Sequence, residues 1–357
     1  MGQEAHVALP VDSLQFPAHL VTAPRIVGMV VSGAVSGHEQ PAGSHGSKVV
    51  DQHAGDVGPI EHDDEGWHHG FHRSYSPTKS RYSPQATMSQ RAGTTSDPSD
   101  YWDDVTVPFV TGDRHVSWRQ FCDRVHGALL RDWAPKSAVA RALKTDMFDE
   151  AAGGGLAHAL ADVAGEVHGL DVSAQVVRAA RDRHEGLTGV IADVRTLPYR
   201  SAAFGLVLSN STLDHFPRRR DIAESLVEIA RVTEPGGTLI VTLDNLMNPV
   251  IALRAILPRR LLRATGVVPY HVGPTLTLRA LCREVTRAGF SVRHTKTLIH
   301  VPRVLAIPLA DRRDRRGAPP HEGTIRRLMS WERLAKWPTR QLTGHFVAVQ
   351  AERTVLA

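Results

Sequence analysis

Cysteine is nearly missing from this chain: there are 2 in 357 residues, Cys122 and Cys282. That excludes a zinc site built on cysteine and a disulfide framework, and it points to a reducing cytoplasm. Aromatic residues are sparse at 6%, and none interleave with the arginine runs as they would in a groove that stacks single-stranded bases. Long apolar runs are missing as well. The longest early one, IVGMVVSGAV at 26–35, is too short to span a bilayer and lies late for a signal peptide with no basic start. No membrane partner is expected.

What is present suffices for a real core, with 42% apolar residues in a length that suits one large domain or two small ones. The formal charge of +5 is unevenly placed, gathered in Arg218-Arg219-Arg220, Arg259-Arg260 and DRRDRR at 311–316. Such runs read as solvated faces, with a patch for an anionic substrate or nucleic acid as the alternative. Nucleic acid is the less favoured partner, since aromatic side chains do not accompany the arginines.

Residues 1 to about 100 are rich in Gly, Ser, Pro and His and show no sustained helical or strand period. A stretch of that kind cannot bury enough apolar area to offset its ordering entropy, so it reads as a disordered or non-native extension. The alternative start is Met88. The irregular spacing of the histidines argues against a metal site, and none is expected.

From 101 the pattern changes. SWRQFCDRVHGALLRDWAP (117–135) carries an amphipathic helical stripe that Pro135 ends. AVARALKTDMF, VHGLDVS, LTGVIADV, FGLVLSNST and GGTLIVTLDN then read as strands, separated by helices in GGLAHALADVA, SAQVVRAARDRH and RRRDIAESLVEIARVT. That alternation predicts an α/β fold, doubly wound around a mostly parallel sheet, with ligands beyond the carboxyl ends of the strands.

The chemistry is therefore sought in the loops after 146, 171, 193 and 210. Asp171 closes the second strand and is placed to accept both hydroxyls of a ribose diol, with Val172 beside it; the alternative is a helix cap, for which Ser173 is also available. Asp193 closes the third strand. Its carboxylate suits an exocyclic amine and the amide of Val194 a ring nitrogen, as in adenine, against a purely structural turn role. Asn210 and Ser211 end the fourth strand where a substrate meets a cofactor, and His215 follows within a turn as a candidate general base, or as a packed histidine. Pro235-Gly236-Gly237 reads as a tight turn before the fifth strand.

In this order GLDVS, IADVRTLPYRSAAFGLVLSNSTLDHF and EIARVTEPGGTLIVTLDN resemble the class I S-adenosylmethionine-dependent methyltransferases of the small-molecule type. LCREVTRAGFSVRHTKTL (281–298) and TGHFVAVQAER (343–353) add a helix, a Gly-Phe corner and a closing antiparallel strand. The resemblance implies a seven-stranded Rossmann-like sheet over 101–357, with its core at 136–245, acceptor-pocket helices at 246–280 and 300–340, and a last strand at 343–353. It implies S-adenosyl-L-methionine as cofactor, with ribose on Asp171 and adenine on Asp193 and Val194. The first loop would face the methionine part.

That loop departs from the family. Asp146 stands for the usual acid, but Phe148 and Glu150 occupy positions normally given to glycine, and the glycines come late, at 153–155. Phe148 would crowd the cofactor, or Gly153 and its neighbours would let a longer loop clear it, with Glu150 neutralising the methionine ammonium. The amino-methyltransferase tetrad is missing after the fourth strand, where SNSTLDHF stands, so a small-molecule acceptor is expected, on a monomer or homodimer. Trp331 and Trp337 would line its pocket or simply pack on the sheet. The competing readings are a non-catalytic scaffold of the same fold and an NAD-dependent oxidoreductase. The latter needs Gly-x-Gly-x-x-Gly directly after the first strand, which DEAAGGG does not supply.

Overall fold

The computed structural model describes residues 98–110, 114–257 and 272–355. The expectations for the histidine-rich segment, for a start at Met88 and for Arg259 and Arg260 lie outside the described residues. The chain opens with α1 (Pro98–Val110) and α2 (Val116–Trp133), then β1 (Val139–Lys144), two short helices α3 (Phe148–Ala151) and α4 (Ala157–Ala161), and β2 (Ala164–Asp171). Next come α5 (Ala174–Arg183), β3 (Leu187–Ile191), β4 (Phe204–Asn210), α6 (Arg219–Val232) and β5 (Thr233–Asp244). The rest comprises α7 (Pro249–Ile256), α8 (Leu278–Arg287), β6 (Phe290–Leu298), α9 (Arg303–Asp314), α10 (Glu322–Met329), α11 (Arg340–Thr343) and β7 (Phe346–Arg353).

The seven strands form one sheet in the order β3-β2-β1-β4-β5-β7-β6. Strands β1 to β5 pair in parallel, and β7 runs antiparallel between β5 and β6. Alternation along the strands splits the core in two. Leu206, Leu208 and Ile240 face a cluster with Phe121 and Leu130 of α2, Val176 of α5 and Ile325 of α10. Their neighbours Val207, Leu239 and Val241 face Ile222, Leu226 and Ile229 of α6 and Leu281 of α8. The doubly wound sheet follows from this: the central strands β4 and β5 are apolar on both sides and need helices on both.

The structure differs from the sequence reading in three elements. The helix expected in GGLAHALADVA is interrupted, since Gly153 and Gly155 take positive φ (88° and 92°) and turn the chain between α3 and α4. Pro235-Gly236-Gly237 does not precede β5 but lies within it, at the end where β4 and β5 slip register between Phe204 and Leu206. Helix α1 contains Pro108 and no helix was expected there, whereas α9, with Pro308 inside it, falls within the 300–340 span where helices were expected. Among the described residues no helix is long and apolar enough to cross a membrane.

Close approach fixes one glycine near the site. A Cβ on Gly169 of β2 would stand 2.8 Å from Cγ of Met147, the fully buried residue that follows Asp146. Gly169→Val should therefore cost about 1–3 kcal/mol through overpacking, read by chemical denaturation. A loss below about 0.5 kcal/mol would mean that the first loop yields without strain.

Candidate functional site

At the carboxyl ends of the parallel strands lies a cavity of about 1300 Å³. It exceeds the usual 300–1,000 Å³ of a single-ligand pocket. Its floor is built by the first loop. Lys144 ends β1 at 2% exposure, and its Nζ donates to the Asp146 carbonyl (2.8 Å), Asp146 Oδ1 (3.1 Å) and Glu150 Oε2 (2.9 Å). Burial alone would lower the ammonium pKa, but Asp146, Glu150 and Asp149 outweigh it and hold the group well above its ordinary value. Glu150 Oε1 accepts from the Leu156 amide (2.8 Å), which folds the glycine turn back onto α3. A Cβ on Gly155 would clash with the Glu150 carboxylate.

This corrects two expectations. Glu150 does not face the cavity: it is fully buried and spent on Lys144 and Leu156. Gly153 also lies off the lining and serves the loop turn, where its positive φ is what the chain needs. Asp146, Phe148 and Asp149 do line the cavity. Phe148 is held edge-on by Phe109 of α1, with centroids 5.1 Å apart, so the ring forms a wall. Asp149 is raised by loss of solvent and by nearby Asp123, whose carboxylate takes the Gly155 amide.

Asp171, Val172, Asp193, Val194, Asn210 and His215 also line the cavity. Asp171 accepts from the Ser173 amide on Oδ1 (2.9 Å) and the Met147 amide on Oδ2 (3.2 Å), so each oxygen keeps further acceptor capacity. Desolvation, with Asp146 adding to it, raises its pKa to about 6 against those two bonds. The helix-capping role falls to Ser173, whose Oγ accepts from Val176 N (3.1 Å). Ser173 Oγ also donates to Asp103, which docks α1 beside this loop.

Asp193 is engaged by Arg195: Nε donates to both carboxylate oxygens (3.0 and 3.1 Å) and an Nη to Oδ2 (2.6 Å). The guanidinium also lies over the Phe216 ring, 4.9 Å from its centroid. A ligand amine would have to share Asp193 with that arginine. Asn210 accepts on Oδ1 from Thr242 Oγ1 (2.8 Å), which leaves its amide nitrogen as the group to offer a ligand. His215 Nε2 stands 4.0 Å from Asp214 Oδ1, and Trp102 packs edge-on against the ring at 5.1 Å.

One constellation was not anticipated. Asp244 ends β5, and Arg254 of α7 donates to its Oδ2 at 2.6 Å. His345, which enters β7, brings Nε2 to 3.2 Å from Oδ1, an ion-pair separation without hydrogen-bond alignment. Burial would raise the Asp244 pKa, but His345 and Arg254 outweigh it and hold the carboxyl well below its usual range. All three line the cavity. The sequence signal available was LDN ending the fifth strand and GH before the last, whose antiparallel pairing sets Phe346 against Asp244. Among the described residues no group of histidine, cysteine and acidic side chains is arranged to hold a metal ion.

Residues 149–241 match a family profile described as "Methyltransferase domain". The chain is 30% identical over 141 residues to the Mus musculus protein named "Probable tRNA methyltransferase 9B", covering 38% of this chain and 27% of that one. It is 32% identical over 77 residues to the malonyl-[acyl-carrier protein] O-methyltransferase of Salmonella typhimurium, covering 22% and 30%. The matches thus span under a third of these relatives' lengths. The solved structure of Haemonchus contortus phosphoethanolamine N-methyltransferase 2 with S-adenosyl-L-methionine aligns with a TM-score of 0.47 at 18% identity, over 72% of this chain and 60% of that one.

The Lys144 cluster supports a direct test of what shapes the first loop. Lys144→Met leaves Glu150 buried without its cation and should cost about 3–5 kcal/mol in urea denaturation. Adding Glu150→Leu should recover part of that loss, since the second change removes the orphaned charge. A single variant as stable as the parent would assign the loop to apolar packing instead.

Proposed function

We propose that the chain is a class I, S-adenosylmethionine-dependent methyltransferase that passes a methyl group to a small-molecule acceptor by in-line displacement, a reading supported by the methyltransferase-domain match over 149–241. The observation that carries this reading is the continuity of the cavity. One end is formed by Asp146, Phe148, Asp171, Val172, Asp193 and Val194, the other by Asp244, Arg254 and His345, with Asn210 between them. A volume near 1300 Å³ has room for two ligands end to end.

The residues present fit S-adenosylmethionine. The half-buried Asp171 carboxylate offers acceptor positions for a ribose diol, and Asp193 with Val194 holds the adenine edge once Arg195 shares the carboxylate. With Glu150 withdrawn, Asp146 and Asp149 are the acids facing the methionine ammonium, and a cation beside Asp149 would offset the repulsion from Asp123. Phe148, fixed by Phe109, excludes water where the family places glycine. The cofactor supplies a methyl group already activated by the sulfonium, so the protein's work is alignment.

Two histidines can take an acceptor proton. His215 is one, with Asp214 behind it. His345 is the other, and its Asp244 partner is nearer and held ionised. The apolar walls of the acceptor half, with Ile251, Val301 and Leu334 among them, suit a small molecule better than a nucleotide chain. The tRNA acceptor in the name of the mouse relative is the second reading.

Calorimetric titration with S-adenosylhomocysteine tests the cofactor half without an acceptor. Asp171→Ala should weaken binding by about 1–3 kcal/mol. The carboxylate is the form that accepts the diol, so affinity of the parent should fall as pH drops through about 6, and the variant should lose that step. No binding to the parent at millimolar ligand would sink the enzyme reading in favour of a scaffold. For the acceptor half, S-adenosylhomocysteine release should fall about a hundredfold in whichever of His345→Ala and His215→Ala removes the base, with an acceptor found by screening. A change under threefold in both would show that transfer proceeds without a protein base.

A further inference from the structure

The segment from 303 to 340 holds ten arginine or lysine residues and four acids, and its charges are sorted by direction. Three of the acids turn inward, and the fourth, Glu322, is exposed but paired. Asp311 pairs with His115 (2.7 Å), Asp314 takes the Ser117 amide (3.0 Å), and Glu332 takes the amides of Ile299 (3.2 Å) and His300 (2.9 Å). Glu322 is engaged by both terminal nitrogens of Arg124 at 2.7 Å. Arg312, Arg315, Arg316, Arg326, Arg327 and Arg340 instead lie on the exposed surface.

On α9 the exposed Leu305, Leu309 and Arg312 follow at i, i+4 and i+7 and so share one side of the helix. Val250 and Leu253 of α7, Val304 of α9, Trp331 and Leu342 both line the cavity and stand 45–54% exposed, so they form its rim. Farther out, Ile256 is 79% exposed, Leu305 69%, Leu309 53% and Trp337 59%. The rim is knitted together. Asn248 at the start of α7 donates to the carbonyls of Thr343 (3.3 Å) and Gly344 (3.2 Å), and His300 bonds Thr343 Oγ1 at 2.7 Å. Isolated exposed apolar residues need no explanation, but a contiguous set around a cavity mouth marks an interaction site.

We propose that this rim docks peripherally on an anionic lipid bilayer, with Leu305, Leu309, Ile256 and Trp337 entering the interface and the outward arginines meeting lipid phosphates. Exposed tryptophan and aliphatic side chains beside arginine are the composition of a surface that lies in the headgroup region. With Asp311, Asp314 and Glu332 engaged by the fold and the exposed Glu322 paired to Arg124, little unpaired negative charge is left to oppose such contact. Trp331 and Trp337 could stack on bases, but the outermost side chains, Ile256 and Leu305, are aliphatic, offer no ring for stacking and favour a bilayer over an RNA. Docked in this way, the cavity mouth opens onto the bilayer. The inference does not rest on methyl transfer, because it concerns the outer surface alone.

Flotation of the full chain with liposomes tests it. Vesicles with about 30 mol% phosphatidylglycerol should carry the protein upward, and pure phosphatidylcholine vesicles should carry far less. Raised salt should release it in part. Leu305→Glu with Leu309→Glu should cut the bound fraction about tenfold, while thermal unfolding and S-adenosylhomocysteine binding stay as in the parent. A separate Arg315→Ala, Arg316→Ala variant, which leaves the apolar rim intact, should bind vesicles less and lose salt dependence. Absence of flotation on anionic vesicles overturns the proposal. So does equal flotation of the glutamate variant, or retention on tRNA or on a second copy of the chain with no vesicle binding.

Discussion

The site depends on one buried ammonium. Lys144 sits at the end of a central parallel strand, where a charge is costly, and each of its three hydrogens has an oxygen to meet. Those bonds fix the backbone of Asp146 and the carboxylate of Glu150, and Glu150 in turn holds the Leu156 amide. A turn that would ordinarily be closed by early glycines is closed here by an ion pair. The late glycines then only reverse the chain between α3 and α4. With the glycines delayed, Asp146 still reaches the lining of the cavity.

From that anchor the rest of the cofactor half follows by short steps. Thr212 Oγ1 donates to Asp146 Oδ2 at 3.1 Å and meets Thr145 Oγ1 at 2.9 Å, which ties the ends of β1 and β4. Met147, pinned against Gly169, gives its amide to Asp171. Because Ser173 caps α5, Asp171 is released from that duty. Helix α1 then covers the loop through Asp103 on Ser173 and Phe109 on Phe148. A phenylalanine in place of glycine is tolerable in this setting because α1 supplies an aromatic partner that turns the ring into a wall.

The parallel core was legible because each strand is a short apolar run closed by a polar residue, and Asp171, Asp193 and Asn210 stand at those closures. What stayed hidden has physical reasons. Glu150 was read as a ligand group because sequence gives no burial, and Lys144 inside an apolar run gave no warning that it needed a partner. Asp244 and His345 lie far apart in the chain and meet only because β7 inserts antiparallel beside β5, which places Phe346 across from Asp244. Helix α1 was missed through Pro108, and the bounds of α9 inside the expected 300–340 helices were obscured by Pro308 and by a run of arginines and aspartates that reads as a solvated charge cluster. In the structure that run is two-faced, with the acids serving the fold and the arginines serving the surface.

The electrostatics of the cavity bear on turnover as well as on binding. Asp193 and Asp244 are balanced by arginines, so the uncompensated acidity concentrates around Asp146, Asp149 and Asp171, where a single buried lysine offsets part of it. A half-cavity of that sign favours a ligand that arrives carrying a sulfonium and an ammonium. On the proposed binding mode, loss of the methyl group would leave the sulfur neutral and remove one attraction, with the proposed ribose and adenine contacts unaffected. At 4–6 Å and an effective dielectric near 20, one such attraction amounts to a few kcal/mol before screening. If these carboxylates hold the charged donor as proposed, they would hold its product less tightly, which would let a site covered by α1 release it.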